Sequence, residues 1–208
     1  MSNLRIRQTV GQYYDEKLQA FGPTARGVDW NSPESQQIRF GQLLKLIDHR
    51  RPFTINDFGC GYGALATYLL EAGHSFEYCG FDISSEMIAK AKELHATAER
   101  ISFVDCESAL PEADYTIASG VFNVKLDTPA VDWEEYVLAT LEAISALSRN
   151  GFAFNVLTKY SDEKLRRADL YYADPLFYFD YCKTKFSRFV ALLHDYPLFE
   201  FTLLVRKG

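Results

Sequence analysis

Between residues 53 and 157, short apolar runs alternate with stretches whose apolar positions recur every three or four residues. The runs at 53–58, 76–82, 101–104, 113–119 and 152–157 have strand length and strand composition. Between them, Leu65, Tyr68, Leu69 and Ala72 mark one helix face, which Gly73 ends. Met87, Ile88, Ala91, Leu94 and His95 mark a second. The third and fourth runs lie so close that the helix between them is expected to be reduced or missing. Asp132 and Glu135 have capping-box spacing and predict a helix starting there, through Tyr136, Leu141, Ile144 and Leu147, with Gly151 before the fifth run. Strand–helix–strand repetition implies a parallel sheet covered on both faces, hence an α/β fold. The last two runs, 189–193 and 199–205, are separated only by residues 194–198. A parallel crossover needs about a dozen residues, so these two are expected to pair antiparallel.

Residues 1–50 lie outside this alternation and read as helical. Ser32-Pro33-Glu34 is a helix start, with serine as N-cap and proline in the first turn; Ile38, Leu43, Leu44 and Ile47 follow on roughly one face. No repeat, low-complexity tract or linker divides the chain, so 1–208 is expected to be a single domain: an N-terminal helical extension, 1–50, and a core, 51–208. Late in the chain an aromatic cluster runs from Tyr171 to Tyr181, with a helix start at Pro175. The spacing of Phe177 and Tyr181 predicts that these two rings are core, while Tyr171 and Tyr172 are candidates for a pocket wall.

With 48% hydrophobic and 24% charged residues the chain reads as soluble and globular. No apolar run has the length of a membrane span, and the first residues lack a signal-peptide core, which points to the cytoplasm. A net charge of −6 argues against a nucleic-acid partner. The one basic knot, Lys164 to Arg167, is flanked by Asp162, Glu163 and Asp169 and reads as a solvated helix face. The four cysteines and four histidines show no metal-ligand spacing, so no metal is expected.

The chemistry concentrates at Asp57-Phe58-Gly59-Cys60-Gly61-Tyr62-Gly63, where the first strand hands over to a helix. Alternating glycines let the backbone turn sharply and approach a ligand without a Cβ in the way. Gly59, Gly61 and Ala64 also fit the G-x-G-x-x-A dinucleotide fingerprint. Three features tilt against a nicotinamide enzyme. Asp57 would face a pyrophosphate unfavourably, Gly63 adds a third alternating glycine, and the closing hairpin is unlike a second mononucleotide half.

The segment DFGCGYG resembles motif I of the class I S-adenosylmethionine-dependent methyltransferases. Asp82-Ile83-Ser84-Ser85-Glu86-Met87-Ile88-Ala89-Lys90-Ala91 is similar to that family's D-x-S-x-x-M-[IL]-x-x-A segment. The resemblance spans about residues 50–206. It implies a Rossmann-like, seven-stranded, mostly parallel sheet with helices on both faces, closed by an antiparallel C-terminal hairpin, with extra N-terminal helices. It also implies S-adenosylmethionine as cofactor. Carried over by position, the backbone of Gly59, Cys60, Gly61 and Gly63 would border the methionine part, and Asp57 would favour the ammonium. Asp82 would accept from the ribose hydroxyls, and Ile83 would lie against adenine. Asp105 would accept from the adenine amino group, the Cys106 N–H would meet a ring nitrogen, and Ser119 would stand where cofactor and acceptor meet.

Methyl transfer from a sulfonium is an in-line displacement that proximity and alignment can largely supply, so no catalytic set need be visible. The strand-four end, Ser119-Gly120-Val121-Phe122-Asn123-Val124-Lys125, lacks the [DN]-P-P-[YFW] segment of enzymes that methylate base amines. A small-molecule acceptor is therefore expected. Asn123, Lys125 and Tyr14 are the candidates for contacting it, with Trp30 and Arg26 as further lid residues. RNA or protein as acceptor, and a non-catalytic cofactor-binding module, are the alternatives.

Overall fold

The structure, a computed structural model, describes residues 3–208; Met1 and Ser2 of the expected extension lie outside them. Among the described residues seven strands form one sheet. They are β1 (Phe53–Phe58), β2 (Phe76–Phe81), β3 (Ile101–Val104), β4 (Ala113–Ala118), β5 (Ser148–Leu157), β6 (Phe189–Leu193) and β7 (Glu200–Arg206). Their order is β3-β2-β1-β4-β5-β7-β6. The first five run parallel, and β7 enters antiparallel between β5 and β6, as the short 194–198 connection requires. The helices are α1 (Asn3–Phe21), α2 (Pro33–Leu43), α3 (Ala64–Glu71), α4 (Ser85–Leu94), α5 (Ala130–Ala146) and α6 (Pro175–Lys185). Between β3 and β4 only one turn of 3-10 helix, Glu107–Ala109, replaces the missing helix.

Side chains alternate across the strands and so divide the core in two. On one face Phe152, Phe154 and Val156 of β5 and Phe201, Leu203 and Val205 of β7 pack with α1, α5 and α6. On the other, Ala153 and Leu204 meet the layer of α2, α3 and α4. Trp133, on α5, is fully buried and donates its indole N–H to Phe122 O at 3.0 Å, which fixes the chain just after β4. At the start of α2 the Ser32 and Ser35 side chains each accept from the other's backbone N–H, and Pro33 holds the first turn.

Four local expectations are corrected. Helix α5 begins at Ala130, after Pro129, and Asp132 sits in its first turn rather than at its cap; the proline presets the turn upstream of the acidic pair. Strand β5 begins at Ser148, not after Gly151. A register irregularity at Ala113/Tyr115 lets Ser148 and Gly151 both pair with β4. The basic knot forms no helix face: one 3-10 turn, Glu163–Leu165, gives way to a loop in which Arg167 bonds Asp169 and reaches Asp29 at 3.4 Å. On α6 the buried residues are Pro175, Tyr178 and Cys182, while Phe177 is exposed.

Strand order reverses between β1 and β4, and their carboxyl ends open a crevice there, as in other open α/β sheets. Helix α1 lies over this crevice. Ser84, the N-cap of α4, donates to Asp15, and Gln19 Nε2 donates to Glu86 Oε1 at 3.0 Å, so α1 is docked on the amino end of α4.

Candidate active site

A cavity occupies the crevice. Its floor is built by the turn after β1. Gly59, Gly61 and Gly63 all have positive φ (80°, 54° and 85°). A Cβ on Gly59 would stand 2.5 Å from Val121, and one on Gly61 2.9 Å from Val28, so only glycine leaves the floor open to the lid and to β4. Gly63 faces elsewhere: it is the left-handed N-cap of α3, packed against His95 and Phe103.

Two carboxyls stand at the strand ends. Asp82, just after β2, holds the glycine turn in place: Oδ2 accepts from Gly61 N at 2.8 Å, and Oδ1 accepts from Ser84 N at 2.9 Å. Each oxygen keeps a second lone pair. Burial pushes Asp82 up to about 6, against those backbone bonds, and Asp15 adds to the rise. Asp57, near the end of β1, accepts from Tyr78 Oη at 2.7 Å. Burial pushes it up to about 7, the Tyr78 hydrogen bond lowers it, and the nearby Asp82 raises it further. Two buried carboxyls held above the usual carboxylate range line one cavity, an arrangement that favours positive charge.

The roof comes from the first forty residues. Val10 and Tyr14 of α1, Val28 and Trp30 after it, and Gln36 and Phe40 of α2 close over the floor. Tyr62, within the glycine turn, donates to Gln36 Oε1 at 3.3 Å and so ties floor to roof. Burial pushes the Tyr14 phenol up, followed in effect by Asp29, so it stays protonated as a donor. Ser119 and Gly120 line the β4 side, and the buried Ser119 Oγ lacks a hydrogen-bond partner among the described residues.

The methyltransferase-domain family matches residues 56–154. The protein Rv1506c of Mycobacterium tuberculosis, named as a methyltransferase, is 48% identical over 165 residues, covering 79% of this chain and 99% of that protein. This chain belongs to the class I S-adenosylmethionine-dependent methyltransferases. A malonyl-[acyl-carrier protein] O-methyltransferase of Pseudescherichia vulneris is 30% identical over 151 residues; these cover 72% of this chain but only 56% of that relative. Among solved structures, the N-methyltransferase NodS of Bradyrhizobium japonicum WM9, in complex with S-adenosylhomocysteine, superposes with a TM-score of 0.66. It is 16% identical, over 94% of this chain and 96% of that one, a likeness of fold alone. The protein is thus an enzyme that uses S-adenosylmethionine, not a binding module.

In this methyltransferase the expected site residues fall into three groups. Asp57, Gly59, Cys60, Gly61, Asp82, Ile83 and Ser119 line the cavity together, and Tyr14 and Trp30 roof it. Asp105 and Cys106 line a neighbouring groove beside Arg7, which shares only Phe81 and Ile83 with the cavity. Asn123 and Lys125 do not line the cavity. The Asn123 side chain is turned into the protein, where Oδ1 accepts from Leu157 N at 3.0 Å, and Lys125 Nζ donates to Leu126 O at 3.0 Å. Arg26 is exposed and stacks on Phe21, 4.5 Å from the ring centroid. Tyr171 and Tyr172 do not line this cavity: Tyr171 bonds Glu134 and Tyr178, and Tyr172 Oη accepts from Arg167 N. Sequence reasoning missed Gln36, Phe40 and Tyr62 in the lining, and it read Tyr136 only as part of a core helix face. Tyr62 lay inside the quoted motif. Gln36 and Phe40, four apart on α2, carried a helical-spacing signal that went unused.

Proposed function

We propose that residues 1–208 act as one methyltransferase domain, whose N-terminal fifty residues roof a site for S-adenosylmethionine and a small-molecule acceptor. The observation that carries this reading is the aromatic and apolar roof over paired carboxyls. The lining fits the cofactor. Asp57, ionised at neutral pH only with help, gains that help from a cationic ammonium, and the spare lone pairs of Asp82 take the ribose hydroxyls. Backbone at Gly59, Cys60 and Gly61 leaves room for the methionine part, and Ile83 covers adenine. Asp105 and Cys106, across Ile83, keep the adenine edge assigned to them by the resemblance. S-adenosylmethionine supplies a methyl carbon activated by its sulfonium. The protein's share is to hold the acceptor in line and exclude water, which Tyr14, Trp30, Gln36 and Phe40 do from above.

The lining also bears on the acceptor. Among the described residues that line the cavity none is lysine, arginine or histidine. An anionic acceptor would therefore enter with no cationic side chain of the lining to meet it. The relative named for malonyl-[acyl-carrier protein] speaks for an acceptor of modest size at the reacting end, but a malonyl carboxylate finds no cationic side chain in this lining. An amine or hydroxyl compound suits it. The test is a panel of benzylamine, phenol and phenylacetate, run with total RNA and denatured protein, each product scored by mass. Methylated amine or phenol is the expected result. Methyl groups found only in RNA or protein would overturn the small-molecule reading.

A further inference from the structure

Trp30 closes the cavity beside the end of β4, and of the groups that hold it there Arg39, Glu200 and Asn155 do not line the cavity. Its ring packs directly on Gly120. A Cβ added to Gly120, whose φ is 75°, would lie 2.2 Å from Trp30 Cζ2 and 2.3 Å from Cη2. The outer side of the ring carries Arg39, with the guanidinium carbon 3.7 Å from the centroid. Arg39 Nε donates to both Glu200 oxygens at 2.9 Å, and Nη1 donates to Ser35 O at 2.8 Å. Asn155 Nδ2 also donates to Glu200, while Asn155 Oδ1 accepts from Gly120 N at 2.8 Å. The contacts therefore close a ring: Trp30, Arg39, Glu200, Asn155, Gly120 and back to Trp30.

The ring joins the lid (Trp30, α2) to β7, β5 and the β4 terminus. Arg39, Glu200 and Asn155 are 5%, 1% and 0% exposed. Phe154, Val156 and Phe201 flank Asn155 and Glu200 in sequence, with the buried Thr202 paired opposite Asn155, and apolar residues at these places could stabilise the core as well or better, since a buried ion pair gains little over apolar packing. What apolar residues could not supply is direction. A planar guanidinium forked onto one carboxylate is held over the Trp30 ring in one place, and an amide bonded at both ends fixes Gly120.

We propose that Trp30 is the acceptor-side wall of the site, and that Arg39, Glu200 and Asn155 are positioning residues that set it. The inference rests on the small-molecule reading above. It predicts that the wall can be loosened without losing the cofactor. Arg39→Lys keeps the charge opposite Glu200 but gives up the planar stack. Arg39→Met with Glu200→Met removes both charges while keeping the volume apolar.

Trp133 is 0% exposed, so acrylamide quenching of tryptophan fluorescence reports on Trp30. In both variants the quenching constant is expected to rise about threefold. Affinity for S-adenosylhomocysteine by calorimetry should stay within about threefold of the parent, and the Lys variant should melt close to it. In the S-adenosylhomocysteine-loaded protein, benzylamine should protect Trp30 from acrylamide, with about tenfold weaker binding in either variant and in Trp30→Ala. Unchanged Trp30 quenching in the folded double variant would overturn the positioning ring. Benzylamine binding equally well to Trp30→Ala would overturn the wall. The underlying reading fails in a different way: benzylamine does not protect the parent protein, and RNA or protein takes the methyl group instead.

Discussion

Asp82→Ala is expected to weaken S-adenosylmethionine binding by about a hundredfold or more, the product of two charge-assisted hydrogen bonds at roughly 1.5–3 kcal/mol each. The same carboxylate accepts from Gly61 N and Ser84 N at 2.8 and 2.9 Å, so the substitution also frees two buried N–H groups. Some loss of stability, about 1–3 kcal/mol, must accompany the loss of affinity. Two controls separate the effects. Ser84→Ala removes the α4 cap, where Ser84 Oγ accepts from Met87 N at 3.0 Å, and the Ser84–Asp15 contact on α1, and leaves Asp82 in place; it should cost about 1 kcal/mol of stability and weaken binding far less than Asp82→Ala. Thermal unfolding with and without saturating cofactor then shows whether Asp82→Ala has lost ligand-linked stabilisation beyond its own fold cost. A folded Asp82→Ala protein with parental affinity would remove Asp82 from the site.

Much of this architecture was legible because it is local. The boundaries of β1, β3 and β6 follow from apolar runs bounded by polar residues, proline or glycine, and the antiparallel entry of β7 follows from the length of 194–198. The glycine turn and Asp82 were legible because they impose backbone requirements, positive φ and a strand-end acceptor, that few other residues meet. The lid was half legible: Tyr14 and Trp30 stood out as amphipathic aromatics outside the strand–helix alternation. Gln36, Phe40 and Tyr136 did not, since a helical residue turned to a cavity and one turned to a core have the same spacing. Asn123 misled for a related reason. Nearness in sequence to the β4 end says nothing about direction, and its amide was needed to satisfy Leu157 N. The Arg39–Glu200 pair joins residues separated by 161 positions, so no local pattern could announce it. The Asp132–Glu135 spacing was a decoy, because Pro129 had already set the start of α5.

Cofactor affinity is expected to fall as pH drops below about 7, by up to about tenfold per unit, and more steeply below about 6. The first limit comes from Asp57, raised to about 7 mainly by burial, and the second from Asp82, raised to about 6 for the same leading reason. In the cofactor-free protein both folded pKa values lie above the unfolded ones. The stability these carboxyls contribute is therefore fully present below about pH 4 and is lost as pH rises through about 6 to 7. A cationic ligand reverses the preference by favouring the ionised carboxylate, so binding between pH 5.5 and 7.5 releases protons. Stability without cofactor and affinity for it thus run in opposite directions across one pH window. Calorimetric titrations at three pH values, each in two buffers of different ionisation enthalpy, measure affinity and proton release together. The series stays below pH 7.5, since the ligand's own α-amino group deprotonates near about 8. Tyr78→Phe sharpens the test. It removes the 2.7 Å donor that holds Asp57 down, so the upper limb of the profile should move to higher pH while the Asp82 limb stays. Affinity flat from pH 5.5 to 7.5, with no protons released, would mean that Asp57 faces no cation. The glycine turn would then have to be reread as a cradle for the nucleoside alone.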